Sequence, residues 1–188
     1  AGPHKRQTGT ASEMEICWPG ARLLVARVLD KNGGGYNEDI MAAMQWMLDP
    51  DGNPETLDGP RVISNSWGSS STTDRLFWEM TDTWVKAGIV PVFAAGNNGY
   101  MNGKVGVPAA FPHVLAVGAT DEKDQWGWFS SLGPAKWDGK VYVKPDVAAP
   151  GVKIFSAHWN TDGFNNLSGT SMAAPHVTGL VALILQAN

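Results

Sequence analysis

The sequence predicts an α/β domain in which a mostly parallel sheet is covered by helices on both faces. Segments with the pattern of strands alternate with segments of helical periodicity along the 188 residues. Several strand-like segments are unbroken apolar runs, which are typical of strands buried on both faces of a parallel sheet. A chain of this length forms one domain with a full core. We therefore expect residues 1–188 to be a single domain segment.

The first half of the chain contains two predicted strands and a predicted helix. Arg22–Leu29 is a short apolar run that predicts a strand. Asn37–Leu48 has apolar residues at helical spacing and acidic residues in its first turn, which predicts a helix. Residues 49–60 are rich in Asp, Gly and Pro, as loops are. Arg61–Trp67 predicts the next strand.

The second half continues the alternation. Asp74–Ala87 has an apolar side and precedes a glycine, which predicts a helix with a glycine cap. Ile89–Ala95 is a continuous apolar strand, and Val114–Ala119 and Val152–Ala157 predict further strands. The last predicted helix, Ser171–Gln186, is apolar nearly all round, so we expect it to be buried.

Composition excludes several classes of function. The net charge is -4 and no basic run is present, so we expect no nucleic-acid partner. No apolar run reaches about 18 residues, so we expect no membrane span. A single Cys17 excludes an internal disulfide framework and is expected to be a small buried side chain. The four histidines are scattered and fit no zinc spacing.

Residues 168–176 read Ser-Gly-Thr-Ser-Met-Ala-Ala-Pro-His and run directly into the last predicted helix. This turn places the hydroxyl of Ser171 at a helix N-terminus, where free N–H groups and the helix dipole stabilise negative charge. A nucleophilic serine needs that placement, because its chemistry creates an oxyanion. Gly-Thr-Ser by itself is better explained as an ordinary helix N-cap.

A second motif, Ala94-Ala95-Gly96-Asn97-Asn98-Gly99, directly follows an apolar strand. An Asn in a Gly-flanked turn at a strand's carboxyl end can aim its amide N–H2 into a cleft. Taken alone, Asn97 is as well explained as a turn residue. In parallel sheets, however, the loops after the carboxyl ends of strands build the functional site.

Both motifs resemble those of the subtilisin-like serine proteases, the subtilases. The resemblance implies that Ser171 is the nucleophile and that Asn97 supplies the oxyanion-hole side chain. It also implies a three-layer subtilisin-like fold, incomplete at both ends in this chain, and protein or peptide substrates. A secreted or cell-surface location is expected by the same resemblance. No cofactor is then required for chemistry.

Three further segments resemble the subtilase segments that form the substrate groove. Residues 65–69 resemble the strand that lines the substrate pocket, and residues 33–35 resemble the opposite lip, so an extended peptide would lie between them by β-strand addition. Residues 106–109 resemble a loop with a cis proline at the base of the pocket. The substrate-binding residues implied are Gly33, Gly34, Gly35, Ser66, Trp67, Gly68 and Gly96.

The resemblance also implies a structural calcium or other cation, held by the backbone carbonyls of Ala109, Phe111 and Val114. Carbonyl sites leave no side-chain signature, so only the resemblance supports this one. Lys144–Gly151 resembles another family segment, to which we assign a structural role as the lead-in to the strand before the nucleophile.

The general base and its orienting carboxylate are missing from the motifs. Subtilases carry the Asp in Asp-Ser/Thr-Gly and the His in His-Gly-Thr-His, both before the serine, and neither motif occurs here. Ala1-Gly2 matches only the tail of the histidine motif, and we interpret His176 as structural. We therefore expect a missing N-terminal segment or another chain to supply Asp and His. The family's Asp-bearing strand would separate residues 22–29 from residues 61–66, so those two should not be hydrogen-bonded directly.

Two other interpretations follow from the same sequence. A subtilase homologue that has lost its Asp and His would act as a non-catalytic peptide- or protein-binding module. An unrelated α/β hydrolase would show Gly-x-Ser-x-Gly with its triad partners after the serine. Chain order excludes the hydrolase, because too few residues follow Ser171.

Overall fold

The computed structural model describes residues 21–30, 32–99, 104–158 and 162–187, and the predictions for Ala1–Gly2 and Cys17 lie outside them. The described part is an α/β domain whose central sheet has four parallel strands in the order β1-β2-β3-β6. In chain order the elements are α1 (Asn37–Trp46), β1 (Val62–Asn65), α2 (Trp78–Lys86), β2 (Val90–Ala94), β3 (Leu115–Thr120), β4 (Ala135–Trp137), β5 (Lys140–Tyr142), β6 (Val147–Pro150), β7 (Ile154–Ala157), β8 (Phe164–Leu167) and α3 (Thr170–Ala187).

Helices cover both faces of the central sheet. Side chains alternate along its strands, so neighbouring residues face opposite helical layers. Phe93 of β2 and Ala116 of β3 belong to the core cluster that α1 and α2 complete. Their neighbours Val92 and Val117 belong to the other cluster, which α3 completes. All four side chains are fully buried, so this confirms the predicted three-layer arrangement.

The two helices on the first face are joined by a buried tryptophan. Trp84 of α2 is 1% exposed, and its Nε1 donates to the carbonyl of Met44 in α1 at 3.0 Å. Gly88 ends α2 with a φ of +80°, as the sequence predicted for a glycine cap. α2 begins later than predicted, because the carboxylate of Asp74 accepts the N–H of Leu76 and forms a turn there.

The strand predicted at Arg22–Leu29 is not found: within the described residues these positions have no regular secondary structure and pair with no strand. Their side chains still alternate, since Leu24 and Val28 pack against the core while Val25 is 79% exposed. A strand is assigned by its partner, and within the described residues β1 pairs only with β2. The expectation that residues 22–29 and 61–66 are not directly hydrogen-bonded agrees with this arrangement.

The later strands differ from the predictions in where they pair. Val147–Pro150, which we assigned as a lead-in segment, forms the fourth strand of the central sheet, β6. The strand predicted at Val152–Ala157 is β7, but it pairs with β8 in a separate antiparallel hairpin. A further hairpin, formed by β4 and β5, was not predicted.

The prediction that the last helix is buried holds only for its first half. Ala173, Ala174 and Val177 of α3 pack against the sheet, whereas Leu180 and Ile184 are 54% and 51% exposed. By length and composition α3 is long and apolar enough to cross a membrane, contrary to the expectation that the chain has no such segment. The packing of its first turns against the sheet is what a core helix of an α/β domain shows.

Candidate active site

A cleft of ≈ 460 Å³ lies between the carboxyl ends of β1 and β2, the N-terminus of α3 and the loop before α1. Every predicted catalytic and substrate-binding residue except Gly34 lines it. None of the described side chains that line the cleft is charged. The lining residues that carry the argument are Gly33, Gly35, Ser66, Trp67, Gly68, Gly96, Asn97, Thr170 and Ser171.

The turn that carries Ser171 is fixed to the end of the central sheet. The N–H of Gly169 donates to the carbonyl of Gly151 at 2.8 Å, one residue beyond β6. On the same side, the hydroxyl of Ser168 accepts the N–H of Lys153 at 2.9 Å. α3 starts at Thr170, so Ser171 lies in its first turn, where backbone N–H groups have no helical partner.

The side chain of Asn97 is held by Thr170. Both the N–H and the hydroxyl of Thr170 donate to Asn97 Oδ1, at 2.9 and 3.0 Å. The hydroxyl of Thr170, which is fully buried, in turn accepts the N–H of Gly96 at 3.1 Å. Because Oδ1 accepts both bonds, the N–H2 group of Asn97 faces away from Thr170.

Two N–H donors, the Asn97 amide and the Ser171 backbone, lie close to Gly169. A Cβ placed on Gly169 would lie 3.4 Å from Asn97 Nδ2 and 3.7 Å from the backbone N of Ser171. Asn97 Nδ2 and the Ser171 N therefore both lie on the side of Gly169 that a side chain would occupy, and Met172 Sδ borders the same position at 3.5 Å. Two N–H donors beside one space, next to a serine hydroxyl, form a site suited to a developing oxyanion.

The segment after β1 forms one wall of the cleft. The ring of Trp67 makes edge contacts with Phe77 and Phe93, at centroid distances of 5.1 and 5.3 Å. The N–H of Ser69 donates to the carbonyl of Val107 at 2.9 Å, which fixes the wall to the loop at the base of the cleft. The Val107–Pro108 peptide bond in that loop is cis, as the resemblance implied.

The opposite lip is a glycine turn closed by Asp30. One oxygen of Asp30 accepts the N–H groups of Asn32 and Gly34 at 2.8 and 3.0 Å. Gly33, with a φ of +81°, turns the chain toward the cleft. Gly34 faces Asp30 instead, which explains why it does not line the cleft. A Cβ on Gly35 would lie 2.5 Å from the carbonyl oxygen of Val28, so only glycine fits there.

Residues 9–188 match the model of the subtilase family, peptidase S8. The chain belongs to the subtilase family. It is 37% identical over 177 residues to bacillopeptidase F of Bacillus subtilis (strain 168), covering 90% of this chain and 12% of that protein. It is 37% identical to the thermophilic serine proteinase of Bacillus sp. (strain AK1), covering 98% of this chain and 41% of that protein.

Subtilisin DY of Bacillus licheniformis is 35% identical, over 89% of this chain and 55% of that protein. Over these three relatives the chain thus spans between 12% and 55% of their length. The family and the fold follow from these matches, whereas the roles of individual residues rest on the geometry of the site.

The carbonyl site that the subtilase resemblance implied does not fit a metal ion here. The carbonyl oxygen of Val114 accepts the ammonium of Lys144 at 2.7 Å, and that ammonium also donates to Asp146 Oδ2 at 2.7 Å. The Lys144 side chain is 1% exposed. A cation is therefore already bound at one of the three predicted ligands, Ala109, Phe111 and Val114. Burial lowers the pKa of Lys144, and the bond to Asp146 opposes that change.

A different part of this subtilase chain could hold a cation. Carboxylate oxygens of Asp49, Asp51 and Asp58, in the loop after α1, lie within 4.8 Å of one another. One oxygen each of Asp49 and Asp58 is buried and has no hydrogen-bond partner in the described residues. The sequence predicted only a polar loop at residues 49–60, although three aspartates in ten residues are a compositional signal for oxygen ligands.

Among the described residues, no histidine or carboxylate forms a hydrogen bond with the hydroxyl of Ser171. His176 lies on the next turn of α3, and its Nδ1 is bonded to the carbonyl of Met172 at 2.8 Å. His113 is bonded to Thr81 at 2.8 Å on the far face of the sheet. The structure thus brings Ser171, Asn97 and all but one of the predicted substrate-binding residues to one cleft, and no histidine or carboxylate of the described residues is bonded to the Ser171 hydroxyl there.

Proposed function

We propose that this chain carries the nucleophile, oxyanion hole and substrate groove of a subtilisin-like serine endopeptidase. The observation that supports this most strongly is that Asn97 Nδ2 and the backbone N of Ser171 lie 3.4 and 3.7 Å from the position that a Cβ on Gly169 would take. A helix cap alone explains Ser171, but it gives no reason for a second, side-chain donor fixed beside the same space.

In the proposed reaction the Ser171 Oγ attacks the carbonyl carbon of the scissile peptide bond and gives its proton to a histidine. Negative charge develops on the carbonyl oxygen, which accepts hydrogen bonds from Asn97 Nδ2 and the Ser171 N–H. The intermediate collapses to an acyl-enzyme as the amine leaves with a proton from the histidine. Water, activated by the same histidine, then releases the acid and restores the serine.

The histidine and its orienting aspartate are proposed to come from residues outside this chain. Neither subtilase motif occurs in the 188 residues. The open edge of β1 supports this proposal, because segment 22–29 packs on the same core cluster as Ile63 of β1 without pairing to β1 within the described residues. An additional strand between the two would satisfy the backbone groups of that edge.

The groove favours substrates with an uncharged side chain next to the scissile bond. Its described lining is made of glycine, serine, threonine, asparagine and apolar residues. A charged side chain entering it would lose its hydration without gaining an opposite charge. In a panel of peptides that differ only in this residue, apolar peptides should be cleaved with higher kcat/KM than those with Lys, Arg, Asp or Glu.

The proposal is tested on the whole protein that contains this chain. A fluorophosphonate should label Ser171, and Ser171→Ala should abolish both labelling and peptide hydrolysis. Asn97→Ala should lower kcat with little change in KM, since the lost bond forms fully only in the transition state. We expect a loss of about 10- to 150-fold, from about 1.5–3 kcal/mol for a hydrogen bond to a charged group.

The alternative is a non-catalytic homologue that binds peptides. The absence of a base for Ser171 among the described residues favours it as the second candidate. A whole protein that binds an extended peptide in the groove, but that neither reacts with a fluorophosphonate nor hydrolyses the peptide, would establish this alternative.

A further inference from the structure

A proline interrupts the hydrogen-bond ladder of α3 just after the candidate nucleophile. In an α-helix the carbonyl of residue 171 would accept the N–H of residue 175. Pro175 has no N–H, and its ring crowds the carbonyl four residues earlier. The helix therefore provides no fourth-residue donor for the carbonyl of Ser171.

Ser66 supplies the missing donor from another part of the chain. Its hydroxyl donates to the carbonyl oxygen of Ser171 at 3.1 Å, across a separation of 105 residues. Ser66 directly follows β1 and lines the cleft in the wall that would bind substrate. The hydrogen bond thus joins that wall to the residue that carries the nucleophile.

The backbone of Ser171 is consequently anchored on both sides by groups outside α3. Before it, the N–H of Thr170 is bonded to Asn97 Oδ1 at 2.9 Å. After it, the carbonyl of Ser171 is bonded to Ser66 Oγ. The first bond holds the 169–170 peptide plane and the second holds the 171–172 plane. The 170–171 plane, which carries the Ser171 N–H, lies between these two anchored planes, so the backbone that sets the directions of the Ser171 N–H and Oγ is restricted from both sides.

We propose that Ser66 is a positioning residue for the nucleophile, which acts through the carbonyl of Ser171 and replaces the helical donor that Pro175 removes. Ser66 does not touch the reacting atoms. This role rests on the proposed function, because positioning matters only where Ser171 reacts. It predicts that the importance of the Ser66 hydroxyl depends on Pro175.

The test is a double-mutant cycle in the whole protein. Ser66→Ala should lower kcat and the rate constant of fluorophosphonate labelling about 2- to 10-fold, the range expected for one neutral hydrogen bond. KM should change little, because the backbone of the groove wall is intact. Ser66→Thr, which keeps the hydroxyl, should restore most of the rate. The Pro175→Ala variant restores a backbone N–H at position 175 that can donate to the Ser171 carbonyl. In that variant, adding Ser66→Ala should therefore change kcat and the labelling rate little.

Thr178→Ala is the matched control. Thr178 also donates its hydroxyl to a carbonyl of α3, that of Ala174 at 3.0 Å, but it lies outside the cleft. This variant removes a hydroxyl-to-carbonyl bond from the same helix, at a carbonyl that keeps its helical donor, the N–H of residue 178. It should leave the labelling rate within about twofold of the wild type, the lower limit of the range for one neutral hydrogen bond. A slowing equal to that of Ser66→Ala would assign the effect to helix stability and overturn the positioning role.

Two further results overturn the inference while leaving the proposed function intact. One is a wild-type rate of labelling in Ser66→Ala, and the other is an equal Ser66→Ala effect with and without Pro175. A wild-type protein that is inert in both assays overturns the proposed function and the positioning role with it. The same cycle measured by thermal unfolding then still decides whether Ser66 and Pro175 are coupled through the Ser171 carbonyl.

Discussion

Thr170 fixes the orientation of Asn97 through two hydrogen bonds to the same oxygen, at 2.9 and 3.0 Å. An Asn amide presents an acceptor on one side and a donor on the other. With the acceptor engaged twice, the donor is left facing the space above Gly169, which the Ser171 N–H also borders. Thr170 therefore determines which way the amide N–H2 of Asn97 points, and this group is the oxyanion donor in the proposed function.

Replacement of Thr170 by Val should therefore impair catalysis more than binding. The variant keeps the N–H bond to Asn97 but loses the hydroxyl, and it leaves the N–H of Gly96 without its acceptor. We expect kcat to fall about 2- to 12-fold, from about 0.5–1.5 kcal/mol per hydrogen bond, with KM nearly unchanged. Thr170→Ser retains the hydroxyl and should behave like the wild type. A fall in kcat/KM that comes entirely from KM would contradict this role for Thr170.

Gly151 should be intolerant of any side chain, because the nucleophile turn rests against it. A Cβ on Gly151 would lie 2.6 Å from the Cβ of Ala119 and 2.8 Å from the carbonyl oxygen of Gly169. Gly151→Ala should lower the free energy of unfolding by about 1–3 kcal/mol through overpacking, and it should slow labelling of Ser171. Chemical denaturation measures the first effect. Gly34→Ala is the control for that measurement, since its Cβ would be at an ordinary 3.7 Å from Asp30.

The sequence predicted the parts of the fold that depend on local pattern. The apolar run around Val92 and Phe93 was predicted as a buried strand, and it is one, because both faces are covered. Arg22–Leu29 has a similar pattern but forms no strand, since pairing requires a partner that sequence pattern does not reveal. The strand at Val147–Pro150 was missed for the opposite reason: small residues and a proline carry little strand signal.

The candidate site was predicted through motifs rather than through contacts. Ser171 and Asn97 were both predicted from motifs, and the bonds that orient them depend on residues brought together by the tertiary fold. The hydroxyl of Ser66 reaches Ser171 across 105 residues, and no local pattern encodes that contact. The ammonium of Lys144 likewise reaches the Val114 carbonyl only because β6 pairs with β3. A carbonyl cation site could therefore be inferred from resemblance but not tested without the fold.

Protonation of His113 should destabilise the fold at mildly acidic pH. The ring is half-buried between Trp78 and Phe111, and this burial lowers its pKa below the ordinary value of 6.5. Asp82 opposes the shift, whereas the charges of Lys144 and Lys86 add to it. Because the unfolded chain takes up this proton first as the pH falls, stability is present above about pH 6.5 and is lost below it.

The measurement is the free energy of unfolding from about pH 8 to about pH 5 for the wild type and for His113→Gln. The wild type should lose up to about 1.4 kcal/mol per pH unit from this one group within the window below about pH 6.5. The variant should have a flatter profile there, while both profiles should run parallel well above that window. Equal slopes in the acidic window would show that His113 is not the group responsible.

The Lys144 ammonium should stabilise the fold by bridging the chain before β3 to the chain before β6. Its ammonium is bonded to Val114 and to Asp146 Oδ2, and the same Asp146 oxygen accepts the N–H of Ala116 at 2.7 Å. Lys144→Ala leaves a carbonyl and a partly exposed carboxylate facing an empty space. We expect a loss of about 2–4 kcal/mol, somewhat less than for a fully buried pair because the Asp146 side chain is 34% exposed.

The oxygens exposed by Lys144→Ala should also make stability respond to added cations. Potassium or calcium chloride should raise the Tm of the variant more than that of the wild type, in which the ammonium occupies the site. Solutions of matched ionic strength remove general screening from the comparison. Lys86→Ala is the control: its ammonium is 74% exposed beside Asp82, so its loss should cost at most about 0.5 kcal/mol and create no cation response. A wild type that gains as much from potassium or calcium as Lys144→Ala does would show that Lys144 does not occupy a cation site.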